Sequence, residues 1–498
     1  MEPQSSWPGA RSPTRHDVPQ ASELPDTSFL SEFKARLLAH QDAKIHQRRV
    51  PVHLLQDRFD LDDVRPFTYP LTVLSGFPTL PSNEELGQLR AAFVVTFQKH
   101  AFVEPIINRE RLSDPVPPYL DVAVACLGSV LTPASMRGGM IGDDLFLAGF
   151  QLTTFMAEVD NRHSRLLELP AALAMLSTYG MLTSNRELWT RADSMFTYGL
   201  TMARRQAIFD LRAYSRDSLD RSKDKSRTLA CYMLLADTVR SIQCGTETQL
   251  SPGELSVSLS SDPNLRFSDV YAHMFTSRFG LPPSVSGDED GLLLLTAVLS
   301  DYLLVRRLMS TISTRKPSTI ADLERIPASC SNLYPFMHLT PGMEDVRMQS
   351  QLSNAISHWY EHFVKNTDTP LSHDVVALYW YARLLFECPD LLELSKLAQD
   401  EKRPEDRTTF AISDEAVQFA WYVLDYVTAP NADNCCGGTA IWTPPITFHA
   451  ALVVWQKLRA DTEVNSGALR ALDPFKEALA AMPWPCCEVM VATLDALR

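Results

Sequence analysis

The stretch SNRELWTRADSMFTYGLTM, residues 184–202, decides the fold class. Ser184 and Glu187 stand at the spacing of a capping box, where a hydroxyl and a carboxylate each satisfy a backbone N–H that the first helical turn leaves without a partner. Beyond it Leu188, Ala192, Met195, Gly199 and Met202 recur with gaps of 4, 3, 4 and 3. That period puts them on one stripe of an α-helix, facing a core.

The same signals extend in both directions. Ser82-x-x-Glu85 is another capping box and opens a helix to about residue 100. Helices are expected at 118–131 and 143–158, followed by one whose first turn holds Pro170, where a missing N–H costs nothing. Others are expected near 225–243, 290–312, 343–364, 371–387, 413–428, 440–459 and 465–480. The polar stretches 212–226, 283–290, 400–409 and 429–439 read as loops. Strand alternation with hairpin turns is missing, and so are a fixed-period repeat and sustained heptads. The reading is all-α: a large multi-helix array behind a disordered, proline-rich N-terminal leader.

With 498 residues, 45% of them hydrophobic and 21% charged, the chain has ordinary globular composition. Ten of its 33 prolines precede residue 82. Residues 1–80 are expected to form a disordered, basic leader and connector, with a short helix near 28–49 carrying Lys34, Arg36, Lys44, Arg48 and Arg49. The helical array then divides into residues 81–265 and a C-terminal continuation, 266–498. Acidic residues outnumber basic ones 60 to 46, a formal charge of -14, which excludes non-specific coating of DNA. The longest apolar runs, Tyr119–Leu131 and Leu292–Val305, carry Asp121 and Asp301 and fall short of the roughly 20 residues a spanning helix needs, so no membrane is expected. The nine cysteines include no C-x-x-C, which points to structural thiols in reducing surroundings.

Four short patterns bear on chemistry. His358-Trp-Tyr-Glu361-His362 is an H-x-x-E-H arrangement, whose histidines on one helical face could share a zinc ion with the glutamate as general base. Against it, Leu352, Ile356, Trp359 and Phe363 form an apolar stripe on the same helix, so the histidines also read as the flanks of a core face. Asp60-Leu-Asp62-Asp63 has the D-x-D-D spacing of class II terpene cyclases, in which a carboxylic acid kept protonated by its neighbours protonates an alkene, but it lies in the proline-rich connector. Leu37-x-x-His40-x5-His46 resembles the second half of a C2H2 zinc finger, without the cysteines of a first half. Ser313-x-x-Lys316 lacks the companion motifs of serine acyl-transferring enzymes. The expectation is therefore a non-enzyme with no catalytic, cofactor or metal residue, the alternative being a helical enzyme, terpene-cyclase-like or a zinc-dependent hydrolase.

Residues about 85–265 resemble the fungal transcription-factor regulatory domain, the middle homology region. Pro117-Pro-Tyr-Leu-Asp-Val-Ala-Val-Ala-Cys-Leu-Gly128 looks like the family's P-x-L-x-x-A-x-x-A-x-G helix. Ala192–Phe209 is similar to the segment that ends in the family's A-R-x-x-G-L-F. Arg227–Asp237 resembles its arginine-led helix closing on an aspartate, and Gly245, Leu250 and Glu254 stand where the family has a glycine turn and an L-x-x-x-E. Thr246 follows the glycine where proline is usual, and no zinc cluster or finger precedes the domain.

The resemblance implies a nuclear transcriptional regulator or co-regulator of a metabolic or secondary-metabolite gene set. It would act through a DNA-binding factor or a homodimer and could respond to a small-molecule effector. Arg227, Asp237, Gly245 and Glu254 are the family-matching residues, all with structural roles. On the 227–243 helix Leu229, Tyr232, Met233 and Ala236 form one stripe while Leu234 and Leu235 make the opposite face apolar. A helix apolar on both faces is buried nearly all round, so Asp237 needs a partner there; Arg240, Arg204 and Arg205 are the candidates.

Overall fold

The computed structural model describes residues 78, 80–97, 117–131, 141–159, 166–210, 220–276, 280–314, 343–365, 371–399, 411–429, 440–461 and 468–497. The basic helix expected at 28–49, His40 and His46, Asp60–Asp63, the loop at 400–409 and Lys316 lie outside them. Contacts divide the chain into two units, Met1–Glu85 and Leu86–Arg498. In the first, Ser82 and Glu85 form the expected capping box: Ser82 N–H donates to Glu85 Oε2 at 2.8 Å and Glu85 N–H donates to Ser82 Oγ at 3.3 Å.

The expected all-α class holds. In chain order the helices are α1 Asn83–Phe97, α2 Pro118–Ser129, α3 Ile141–Val159, α4 Glu168–Met181, α5 Arg186–Arg205, α6 Asp220–Cys244, α7 Phe267–Thr276 and α8 Gly287–Thr314. They continue as α9 Met343–Tyr360, α10 His373–Glu387, α11 Leu391–Gln399, α12 Asp414–Thr428, α13 Thr443–Asp461, α14 Asp473–Ala481 and α15 Cys486–Ala496. A π-helical turn, Glu361–Lys365, extends α9. Among the described residues the only β pairings are two isolated bridges, Asp210 with Ser256 and Ser258 with Arg266, and no helix is long and apolar enough to cross a membrane.

α4 is the centre of the first half. Every residue from Leu169 to Met181 is buried, and α2, α3, α5 and α6 all contact it. The α5 stripe read from sequence is the face that meets α4: Leu188, Ala192, Met195, Gly199 and Met202 are all buried. α6 is likewise buried all round from Thr228 to Ile242, as its two apolar faces require. At Gly128 of α2 an added Cβ would lie 1.9 Å from the Leu89 carbonyl oxygen, so α1 and α2 cross at backbone contact that only glycine permits. The second half is built on α10, α12 and α13, with α13 reaching back to α6 and α8 bridging α6 and α10.

Three local readings are corrected. The cap of α5 is Asn185, not Ser184: the Asn185 side-chain oxygen accepts from the Glu187 and Leu188 N–H groups at 3.0 and 3.5 Å. Its amide reaches from one residue closer to the same donors, so the Ser184 box does not form. The loops placed at 212–226 and 283–290 are partly helical, because α6 begins at Asp220 and α8 at Gly287. In both, a charged first turn imitates a polar break; in α8 its acids Asp288, Glu289 and Asp290 complement the positive end of the helix dipole. α7, α11 and α15, of 10, 9 and 11 residues, are additions to the expected set; none exceeds the short end of the roughly 11–18-residue window over which helical periodicity is read.

Candidate functional site

α6 ends because Gly245 takes φ +61°, the left-handed conformation that closes a helix. The loop that follows runs past α5 to a 3-10 turn, Pro252–Glu254, and Asp237 receives it. Asp237 is fully buried. Its Oδ2 accepts from the backbone N–H groups of Gln249 and Leu250, the latter at 2.7 Å. Its Oδ1 accepts from Arg240 Nε at 3.0 Å and lies 2.9 Å from Nη2.

Arg240, only 3% exposed, extends the grip to the start of the loop. Nη1 donates to Thr246 Oγ1 and to Asp193 Oδ1, each at 3.1 Å, and Nη2 donates to the Glu247 carbonyl. The guanidinium lies 5.9 Å from the Phe196 ring centroid. Ser241 Oγ donates to the Thr246 carbonyl. Burial pushes the Asp237 carboxyl above its ordinary value, while Arg240 and the two amides pull it back. All the partners of this carboxylate are N–H donors, so its geometry fits the ionised form.

A second clamp lies beside the first. Arg204 of α5 holds Glu254 through two parallel bonds, Nε to Oε2 at 2.8 Å and Nη2 to Oε1 at 2.9 Å. Its Nη2 also donates to the Gln249 carbonyl at 2.6 Å, and Thr197 Oγ1 donates to Gln249 Oε1 at 3.0 Å. Glu254 Oε1 accepts from the Ser251 N–H at 3.2 Å, closing a capping box on the 3-10 turn. Ala207, just past α5, is the only described non-glycine residue with positive φ, at 56°.

The structure therefore brings Asp237, Gly245 and Glu254 together around one loop, with Arg240 as the partner of Asp237. Arg227 stands apart. It reaches Glu289 of α8 at 3.5 Å, a single long contact. The neighbouring acids of that first turn hold two other segments: Asp288 accepts from Ser372 N–H at 2.9 Å, and Asp290 from Ser260 and Ser261 N–H at 2.8 and 3.0 Å. Asp193, Thr197 and Asp290 give no signal in the sequence, since each acquires its role only through a distant segment.

His358 and His362 lie on one face but hold different segments. His358 Nδ1 is 2.9 Å from the Met274 carbonyl and His362 Nε2 is 2.7 Å from the Val285 carbonyl, bonds that anchor this helix to α7 and to the approach to α8. Glu361 pairs with Lys365 on the surface. Among the described residues no three His, Cys, Asp or Glu side chains converge to hold a metal ion. Burial pushes the thiols of Cys231 and Cys244 up to about 12 and that of Cys388 to about 11, which keeps them protonated and poorly nucleophilic.

No family model matches this chain, and comparison with curated proteins and with solved structures finds no match either.

Proposed function

We propose that this chain is a transcriptional regulator or co-regulator of the fungal transcription-factor family, acting in the nucleus through a DNA-binding factor or a homodimer on a metabolic or secondary-metabolite gene set. The observation that carries the reading is at Ala207. In the segment Ala203-Arg-Arg-Gln-Ala207-Ile-Phe209 it occupies the position where the resembled A-R-x-x-G-L-F motif has glycine, and it adopts φ 56°. A backbone that needs glycine, kept where the glycine itself is absent, speaks for a shared local architecture rather than a chance run of letters. Arg204, from that same segment, joins Glu254, from the separate L-x-x-x-E stretch, by a bidentate ion pair. Two of the resembling stretches thus support each other through one contact.

The chain's acidity speaks against non-specific coating of DNA, and the reading gives sequence recognition to a partner. The role left to this chain is protein contact, with a small-molecule effector as a second input. Chromatin occupancy of the tagged full-length protein in its native host, combined with expression profiling of a deletion strain, tests the reading. Focal occupancy at promoters whose transcripts change on deletion is expected. A protein absent from promoters, with a deletion that alters metabolites and leaves transcripts unchanged, would overturn it.

A further inference from the structure

The outer face of α5 is made of residues that neither solvation nor helix stability accounts for. Glu187, Thr190, Ser194, Tyr198, Thr201 and Arg205 recur there with gaps of 3, 4, 4, 3 and 4, all exposed and opposite the stripe that meets α4. Between its two charged ends this line is uncharged. Serine and threonine are poorer helix formers than lysine, glutamine or glutamate, which would also hydrate an open face better. Each hydroxyl is turned onto its own helix: Thr190 Oγ1 donates to the Arg186 carbonyl at 3.0 Å, Ser194 Oγ to the Thr190 carbonyl at 3.2 Å and Thr201 Oγ1 to the Thr197 carbonyl at 3.0 Å. With their donors already engaged, these short side chains leave water at less cost than a charged one would.

Tyr198 stands in the middle of the line, 46% exposed; among the described residues it and Val489 are the large apolar side chains most open to water. An open aromatic ring ringed by short uncharged groups, with charges only at the margin, has the composition of a protein–protein contact centre. The margin itself is polar in one sense. Glu187 lies in the first turn of α5, and within one chain it pairs with Arg191 at 2.6 Å. Arg205 lies in the last turn, exposed, and enters none of the ion pairs among the described residues. One end of the face is therefore acidic and the other basic, about 30 Å apart along the 20-residue helix.

We propose that this face is where two copies of the chain meet, their α5 helices packed antiparallel about a two-fold axis. Such a contact needs a surface complementary to itself. Antiparallel pairing supplies one: Glu187 of each copy comes opposite Arg205 of the other, and Tyr198 comes opposite Ser194, a large side chain against a small one. Parallel pairing would instead set acid against acid and base against base. A partner of uniform charge would match one end of the face and be repelled by the other. A single helix pair is a small interface, and each copy carries a formal charge of -14, so a reversible dimer is expected, with Kd about 10 μM. The inference deepens the homodimer of the transcriptional reading and rests on that reading for its purpose; a chain that stays monomeric overturns the interface and leaves chromatin occupancy to decide the reading.

The test is sedimentation velocity of the full-length chain over concentrations on either side of about 10 μM. Arg205→Glu sets two acids against each other at both ends of the dimer and should weaken association about tenfold or more; Glu187→Arg should do the same with two bases. An equimolar mixture of the two variants should associate nearly as well as the wild-type chain, because in the mixed dimer both pairs are again of opposite charge. Tyr198→Asp should weaken association, whereas Val489→Asp, at the other open apolar side chain, should leave it unchanged. All four positions face solvent, so the circular dichroism of each variant should match that of the wild-type chain. The interface is overturned by a wild-type chain still monomeric at about 100 μM, by association that neither charge reversal weakens, by a mixture that associates no better than either variant alone, or by an equal loss in Val489→Asp.

Discussion

Between Arg186 and Glu254 the most deeply buried polar pair is charged; among the described residues from Tyr381 to Gln456 the buried polar side chains are neutral. In the first region Asp237 and Arg240, both almost wholly enclosed, spend nearly every donor and acceptor on each other and on one loop. In the second, Tyr381 meets His449 at 2.8 Å and Trp442 Nε1 donates to the Asp374 carbonyl at 3.0 Å. Stacked and edge-on rings surround them, among them Trp380 with Tyr422 at 4.5 Å and Trp359 with Tyr379 at 5.5 Å. A charged hub tolerates one arrangement, because any missing member strands an ion in a medium that cannot solvate it. A neutral aromatic cluster loses one bond at a time.

The sharpest way to break this comparison is Asp237→Ala, measured by urea unfolding of the full chain. Loss of about 3–5 kcal/mol is expected, since Arg240 remains buried without its counter-charge. An additional Arg240→Met change should recover part of that loss, and a double variant no more stable than the single one would show that the loop amides, not the ion pair, dominate.

In the neutral region the expected cost is smaller and depends on pH. Tyr381→Phe leaves His449 Nδ1 without its partner and should cost about 1–3 kcal/mol. His449 has a folded value of about 3, below its ordinary 6.5, so its contribution is present above pH 6.5 and fades as pH falls toward 3. The stability gap between the wild-type chain and His449→Gln should accordingly narrow by up to about 1.4 kcal/mol per pH unit below 6.5. Asp301 and Asp374, raised to about 6 by burial, act with the opposite sign: their protonation favours the fold as pH falls from 6 toward 3.8. Both effects are common to the two chains, so the difference isolates the histidine.

The backbone around the clamp offers a finer contrast. Gly245→Ala should cost about 1 kcal/mol at φ +61°, whereas Ala207→Gly should gain a few tenths to about 1 kcal/mol by relieving φ 56°. Chemical denaturation midpoints distinguish the two signs, and a destabilising Ala207→Gly would remove the argument from local architecture. Smallest of all, Glu187→Gln breaks only the exposed i,i+4 pair with Arg191 and should stay within about 0.5 kcal/mol.

Much of the helical framework was legible because its signals are local. The α5 stripe and the two-faced burial of α6 follow from spacing alone, and the burial of α6 in turn demands a partner for Asp237. Sequence narrowed that partner to three arginines; only the fold shows that Arg240 takes it while Arg204 goes to Glu254. The acidic start of α8 shows the limit. Gly287-Asp-Glu-Asp-Gly291 looks like a solvated turn, and its meaning lies in Ser372, Arg227, Ser260 and Ser261, none of them within 25 residues of it except by folding. Asn185 misled for a different reason, since two adjacent residues could both cap and the choice rests on side-chain reach.

The enclosure of α4 has a kinetic consequence. With α2, α3, α5 and α6 around it and no residue from Leu169 to Met181 open to water, its amide protons have no local route to solvent. Hydrogen exchange along this segment should therefore follow global unfolding, with the slowest deuterium uptake in the chain. The surrounding helices cannot peel away singly without baring it, so this half of the molecule should assemble and come apart as one cooperative unit.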